Sequence, residues 1–364
     1  MNSASSGNQS SEFGVGPSVA LGAAIAANLR ADRALMSDTK LFAGQGSESD
    51  STRSGCGKQD PVPELSVDLA GVRLQNPLIP ASGCFGFGEE FLDFFDPNIL
   101  GAAALKGTTR EPREGNPTPR IAETPSGMIN SIGLQNPGID VVVAERLPAL
   151  AKFYHQPVIM NVSGFSIDEY VECCEKADGL SEFIELNISC PNVHGGGMSF
   201  GASCAAASEV TREVRQVVKE SKLFVKLSPN VTDVVEIAQG CVDAGADGLT
   251  LINTLLGMRI DVKRRCPVIA QSIGGFSGPA ILPVALRMVY QVAQTLAVPI
   301  MGSGGIATAH DVVEMMMAGA SAVQIGAESL RNPLVIPQIL EQLPEVMAEL
   351  GITNLQEIIG VAKQ

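Results

Sequence analysis

The stretch Glu185-Leu-Asn-Ile-Ser-Cys-Pro-Asn192 closes a short buried strand, residues 183–189, that carries the amide of Asn187 inward and ends at a thiol. Pro191 lacks an N–H and is poorly placed in a central strand, so Cys190 is expected where the strand gives way to a loop. A thiol there can reach a bound ligand. Its role depends on what the rest of the chain builds around it.

Working outward, the same pattern recurs from residue 64 onward: a short apolar strand, a turn with Gly, Asn or Ser, then an amphipathic helix. The strands fall at 76–83, 102–109, 157–164, 183–189, 223–229, 248–254, 298–305 and 322–328. The clearest helices fall at 166–177, 205–220, 233–244, 279–296 and 309–318, the first opening on Ser166 and Glu169 at capping-box spacing. Near-continuous apolar strands alternating with helices imply a parallel sheet covered by helices. Eight such repeats match the count and size of an α/β (β/α)8 TIM barrel, with a doubly wound open sheet as the alternative.

The composition bounds the function. With 25 basic and 39 acidic residues the net charge is −14, which argues against nucleic acid or an anionic membrane as the main partner. No apolar run reaches the roughly 18 residues that a spanning helix needs. The eight cysteines show no metal-ligand spacing, and Cys173-Cys174 are adjacent within a helical pattern. Scattered cysteines without a signal peptide read as reduced thiols of a cytoplasmic protein. Residues 1–60 are rich in Ser, Gly and Ala and read as a disordered tail, with Met36 an alternative start; 61–364 form the catalytic domain.

In a barrel the C-terminal strand ends form the active-site face. Here they carry Ser82, Lys106, Asn161, Asn187 with Cys190, Lys226, Asn253-Thr254, Gly304-Gly305 and Gly326. The run Gly302-Ser-Gly-Gly-Ile-Ala307 after the seventh strand suits an anion cradle, because glycine lets backbone N–H groups approach closely. Gly326-Ala327 offers a second turn. Plain turn chemistry and a dinucleotide fingerprint are the other readings. Lys106 and Lys226 either snorkel to the barrel end or meet a bound anion. The asparagines offer donors and acceptors to a planar ring, or cap turns. An unperturbed thiol such as Cys190 is a weak base and often a buried small hydrophobe. Cys84 is a second thiol on the same rim, with packing as its role. His194 reads as a solvated loop residue.

In order along the chain, Ala81-Ser-Gly-Cys-Phe-Gly-Phe-Gly-Glu89, Lys106-Gly-Thr-Thr109, Asn130-Ser-Ile-Gly-Leu-Gln-Asn-Pro-Gly138, Glu185-Leu-Asn-Ile-Ser-Cys-Pro-Asn-Val193, Val225-Lys-Leu-Ser-Pro-Asn230, Gly274-Gly-Phe-Ser-Gly-Pro279 and Gly302-Ser-Gly-Gly305 resemble the dihydroorotate dehydrogenase family, class 1B. The resemblance implies an FMN enzyme that oxidises dihydroorotate to orotate in pyrimidine synthesis. It makes Cys190 the base. It assigns Lys106, Asn130, Gly133, Leu134, Asn187, Asn253 and Thr254 to substrate. It assigns Ser82, Lys106, Gly107, Asn161, Asn187, Lys226, Ile252, Gly278, Gly304, Gly305, Gly326 and Ala327 to FMN. It further implies a homodimer core within a heterotetramer, whose electron-transfer subunit carries FAD and a 2Fe–2S cluster and passes electrons to NAD⁺. The alternatives are a class 1A-like fumarate-reducing homodimer and another FMN barrel acting on a dihydropyrimidine. Two positions depart from the family pattern: Gly107 stands where Ala or Ser is frequent, and Ala327 where Thr or Ser is common.

Overall fold

Strands buried on both faces pair best with one another, and the eight apolar segments do so. The computed structural model describes residues 63–189 and 200–362. Eight parallel strands follow in chain order: β1 (Leu78–Pro80), β2 (Ala103–Ala104), β3 (Val158–Val162), β4 (Phe183–Asn187), β5 (Lys222–Lys226), β6 (Gly248–Leu251), β7 (Ile300–Ser303) and β8 (Ala322–Ile325). From β2 to β8 each strand pairs with the next in the chain, and β8 pairs back onto β1. The remaining seam, between β1 and β2, is bridged by the Gly101 N–H donating to Leu78 O at 3.0 Å. The expected barrel is therefore the observed architecture, and the doubly wound alternative falls away.

The ladders are shorter than the apolar runs, because each chain turns into its loop within a few residues of the rim. Lys106 consequently sits two residues beyond β2, rather than inside a strand, while Lys226 ends β5. The five expected helices are present. The first, Ile167–Ala177, is capped by the Ser166 hydroxyl, which accepts from the Glu169 N–H at 3.3 Å. The Glu169 carboxylate turns back to the N–H of Phe165 at 2.8 Å rather than to that of Ser166, so the expected capping box is only half formed. The reciprocal box occurs instead at Ala309–Ala318, between Thr308 and Asp311. Cys173 and Cys174 are free thiols buried on the first helix, where desolvation holds both thiols well protonated.

One layer has no counterpart in the sequence reading. Segments 121–124, 127–130, 255–257 and 274–277 form a four-stranded antiparallel sheet drawn from the loops after β2 and β6. It brings Asn130, Thr254 and Gly278 to the rim of the barrel. The expected tail, residues 1–60, lies outside the described residues.

The β1–β2 seam has no room for a side chain, since a Cβ on Gly101 would lie 1.9 Å from Asn76 O. Gly101→Ala is therefore expected to destabilise the protein by about 1–3 kcal/mol, as overpacked sites do. The check is the midpoint of chemical denaturation, and an unchanged midpoint would contradict the tight closure.

Candidate active site

Polar side chains at the ends of apolar strands converge because neighbouring strands are in register. Asn187 sits opposite Lys226, Glu185 opposite Asn161, and Lys226 opposite Thr250. Above them opens a cavity of about 580 Å³, within the range of small-molecule sites. Every described residue expected to hold substrate or cofactor lines this one cavity. Cys190 and His194 lie outside the described residues; Ser189, the residue before Cys190 in the chain, lines it as well.

The cavity floor is a charged network. Lys226 is 5% exposed and Glu185 0%. The Lys226 ammonium donates to Glu185 Oε1 at 3.3 Å and to Gln324 Oε1 at 2.8 Å. Gln324 Nε2 donates to Glu185 Oε2 at 2.6 Å, and Asn161 Nδ2 donates to Glu185 Oε1 at 2.6 Å. Lys226 lines the cavity, whereas Glu185 and Gln324 lie outside its lining. Lys226 thus has a buried counter-ion, a third possibility beside snorkelling and anion pairing. An ammonium carries three donors, and two are taken among the described residues.

Next to the floor lies a run of amides. Asn187 Oδ1 accepts from Ser189 Oγ at 2.8 Å and from Asn253 Nδ2 at 3.3 Å. Asn253 Nδ2 also donates to Ser189 Oγ, and Asn253 Oδ1 accepts the Thr254 N–H at 2.8 Å. The Tyr170 hydroxyl holds the Asn187 carbonyl at 2.8 Å and so pins the end of β4 to the first helix. Asn187 therefore presents its face to the cavity in a fixed orientation.

Glycines shape the opposite wall. Gly304 and Gly305 follow β7 at φ 130° and 83°, a region that favours glycine. A Cβ on Gly305 would lie 2.6 Å from the Leu282 nitrogen, so the turn packs directly onto the start of helix Leu282–Thr295. Among the described residues none accepts from the N–H groups of Gly304, Gly305 or Gly326. At Gly326 a Cβ would meet only ordinary contacts, the nearest being Ala81 Cβ at 3.5 Å, so a side chain can start there without overlap. Such unspent N–H groups on a concave wall suit an anion such as a phosphate.

The Lys106 ammonium lies 3.6 Å from where a Cβ on Gly83 would sit, which puts it at the rim beside Ser82-Gly83. Gly107 has a steric reason to be glycine here, because its Cβ would stand 2.7 Å from Asn161 Oδ1. Cys84 also lines the cavity. Burial pushes its thiol up to about 11 against the pull of Lys226 and Lys106, so it is a neutral thiol near pH 7 and poorly suited to act as a base.

Two residues of the site escaped the sequence reading, Glu185 and Gln324. The signal was present, as each is a lone polar residue amid buried apolar neighbours, in Phe-Ile-Glu-Leu-Asn and Ala-Val-Gln-Ile. Lone polar residues in strands are common, however, and only the register brings these two together.

The family profile described as Dihydroorotate dehydrogenase matches residues 64–347. The chain is 53% identical over 298 residues to a protein of Geobacillus kaustophilus named "Dihydroorotate dehydrogenase B (NAD(+)), catalytic subunit", covering 81% of this chain and 95% of the relative. A protein of the same name from Halalkalibacterium halodurans is 53% identical over 298 residues, with 81% and 97% covered. Another from Enterococcus faecalis is 52% identical over 302 residues, with 82% and 96% covered. With the profile spanning the whole barrel and its cavity, this chain belongs to the dihydroorotate dehydrogenase family.

Proposed function

We propose that this chain is the catalytic subunit of an NAD⁺-linked dihydroorotate dehydrogenase, cytoplasmic, which oxidises dihydroorotate to orotate for pyrimidine synthesis. The observation that carries this reading is the agreement of the family match with the geometry of the cavity. The chain matches relatives of that name along nearly their full length, and every described residue that the family pattern assigns to a ligand lines a single cavity.

FMN fits the donor set. Its single phosphate suits the Gly304-Gly305 and Gly326-Ala327 turns, where the N–H groups of Gly304, Gly305 and Gly326 have no acceptor among the described residues. Ser82, Lys106, Gly107, Asn161, Asn187, Lys226, Ile252 and Gly278 are the remaining residues that would hold it. When bound, FMN supplies a two-electron acceptor for the hydride leaving C6 of the substrate.

The chain's own residues perform the rest. Lys106, Asn130, Gly133, Leu134, Asn187, Asn253 and Thr254 would orient the dihydropyrimidine ring and its carboxylate. The amides match a ring that has both N–H and C=O groups, and Lys106 matches the carboxylate. Cys190 would take the proton from C5, a carbon acid next to a carbonyl; a thiol pKa near the working pH suits such a transfer. This role rests on the sequence alone, with Ser189 on the cavity wall as its neighbour in the chain. Lys226 would stabilise the negative charge that reduction places on the flavin ring. Electrons would leave through a partner subunit bearing FAD and a 2Fe–2S cluster, in a heterotetramer built on a homodimer of this chain.

Four outcomes are expected. Cys190→Ser retains FMN but loses most turnover near neutral pH; flavin reduction at the wild-type rate, measured by stopped-flow absorbance, would contradict the base assignment. Gly326→Ala places a methyl group on the phosphate turn without overlap and is expected to weaken FMN binding, as read by flavin fluorescence, with circular dichroism checking the fold. Lys226→Met removes the cation bonded to a fully buried carboxylate, which is expected to cost about 3–5 kcal/mol of stability in denaturant unfolding. For the acceptor, the complex with its electron-transfer subunit should reduce NAD⁺; efficient turnover of the isolated chain with fumarate would favour the class 1A-like homodimer instead.

A further inference from the structure

Three N–H donors converge on the two oxygens of Glu185: Asn161 Nδ2 at 2.6 Å, Gln324 Nε2 at 2.6 Å and Lys226 Nζ at 3.3 Å. These donors come from three different barrel strands, β3, β8 and β5. Glu185 is fully buried and lies outside the cavity lining, so it touches no ligand there and acts through these partners and through its charge. We propose that Glu185 is a positioning residue that fixes both the place and the effective charge of Lys226, with Gln324 as the relay that makes a carboxylate obligatory at this point.

The hydrogen-bond accounting supports the assignment. Gln324 Oε1 is committed to Lys226 at 2.8 Å, so its NH₂ must face Glu185. An amide in place of Glu185 offers one acceptor and one NH₂ group. With its oxygen toward Asn161 and Lys226, its NH₂ faces the NH₂ of Gln324. Flipping Gln324 removes that clash but points its NH₂ at the ammonium. Flipping the new amide points NH₂ at Asn161 and Lys226 instead. Every arrangement leaves donor against donor in a dry interior, where an unmade hydrogen bond is expensive.

Moving the carboxylate across the barrel satisfies every group. In the double variant Glu185→Gln with Gln324→Glu, the new amide accepts from Asn161 and Lys226 and donates to the new carboxylate. That carboxylate accepts from Lys226 through its other oxygen. The cavity lining is untouched, because neither position contributes to it.

The consequence for a bound redox group is electrostatic. In the native network the charge of the ammonium is partly offset by the Glu185 carboxylate, in a medium that screens weakly. Removing the anion leaves Lys226 a stronger attractor of negative charge, so a group that gains negative charge on reduction becomes easier to reduce. The inference rests on the proposed function in one respect, that the cavity ligand is a flavin.

The test measures flavin content, the reduction potential of the bound FMN and the thermal midpoint in wild type, E185Q and the double variant E185Q/Q324E, each purified as the complete chain. E185Q is expected to shift the potential to more positive values and to bind FMN at least tenfold more weakly. The double variant is expected to return both toward wild type. A purely structural role would lower the thermal midpoint and leave the potential unmoved. An unchanged or more negative potential in E185Q overturns the inference, as does a double variant that resembles E185Q. If E185Q does not fold, the double variant carries the test, because it must fold and hold flavin at the wild-type potential. A wild-type protein with no flavin overturns both this inference and the proposed function. Flavin that dihydroorotate reduces, with a potential indifferent to Glu185, overturns this inference alone.

Discussion

The ion pair between Lys226 and Glu185 is the constraint on which the site depends. Two opposite charges sit inside the barrel with almost no contact with water. Desolvating them is costly, and their attraction offsets that cost only when every remaining donor and acceptor is matched. Here the matching requires Asn161 from β3, Glu185 from β4, Lys226 from β5 and Gln324 from β8 to meet at one level. A slip of one residue in any of these strands would turn its polar group out of the barrel. The pair therefore specifies strand register and fixes the floor of the cavity by the same contacts.

On that floor the site divides into rigid and adjustable parts. The amides of Asn187 and Asn253 and the hydroxyl of Ser189 are held by one another and by Tyr170. The glycine turns after β7 and β8 present backbone rather than side chains, so no rotamer has to be frozen when an anion docks. The rim comes from loop segments folded into a small antiparallel sheet. A chain of net charge −14 still offers a local welcome to anions, because Lys106, Lys226 and the glycine turns line the same cavity.

Much of this was legible in the sequence. The barrel strands were readable because strands buried on both faces make continuous apolar runs, and their polar ends marked the rim. The small antiparallel sheet was not, since its strands are three to four residues long, rich in glycine and lack alternation. Lys226 was singled out in the sequence, while its buried partner Glu185 was not. The bonds that reach Glu185 span 24, 41 and 139 residues of sequence, and no local pattern encodes such a meeting. Gly107 shows the converse. Its departure from the family pattern looked incidental in the sequence, and the structure gives it a cause in the close approach of Asn161.

The central claim is that this cavity holds a flavin and delivers the electrons of dihydroorotate to it. The most direct measurement is the visible spectrum of the purified chain under anaerobic conditions as dihydroorotate is added. The account predicts a yellow protein whose flavin absorbance bleaches on addition and returns when the electron-transfer subunit and NAD⁺ are supplied. A colourless protein, or a flavin spectrum indifferent to dihydroorotate, would contradict it.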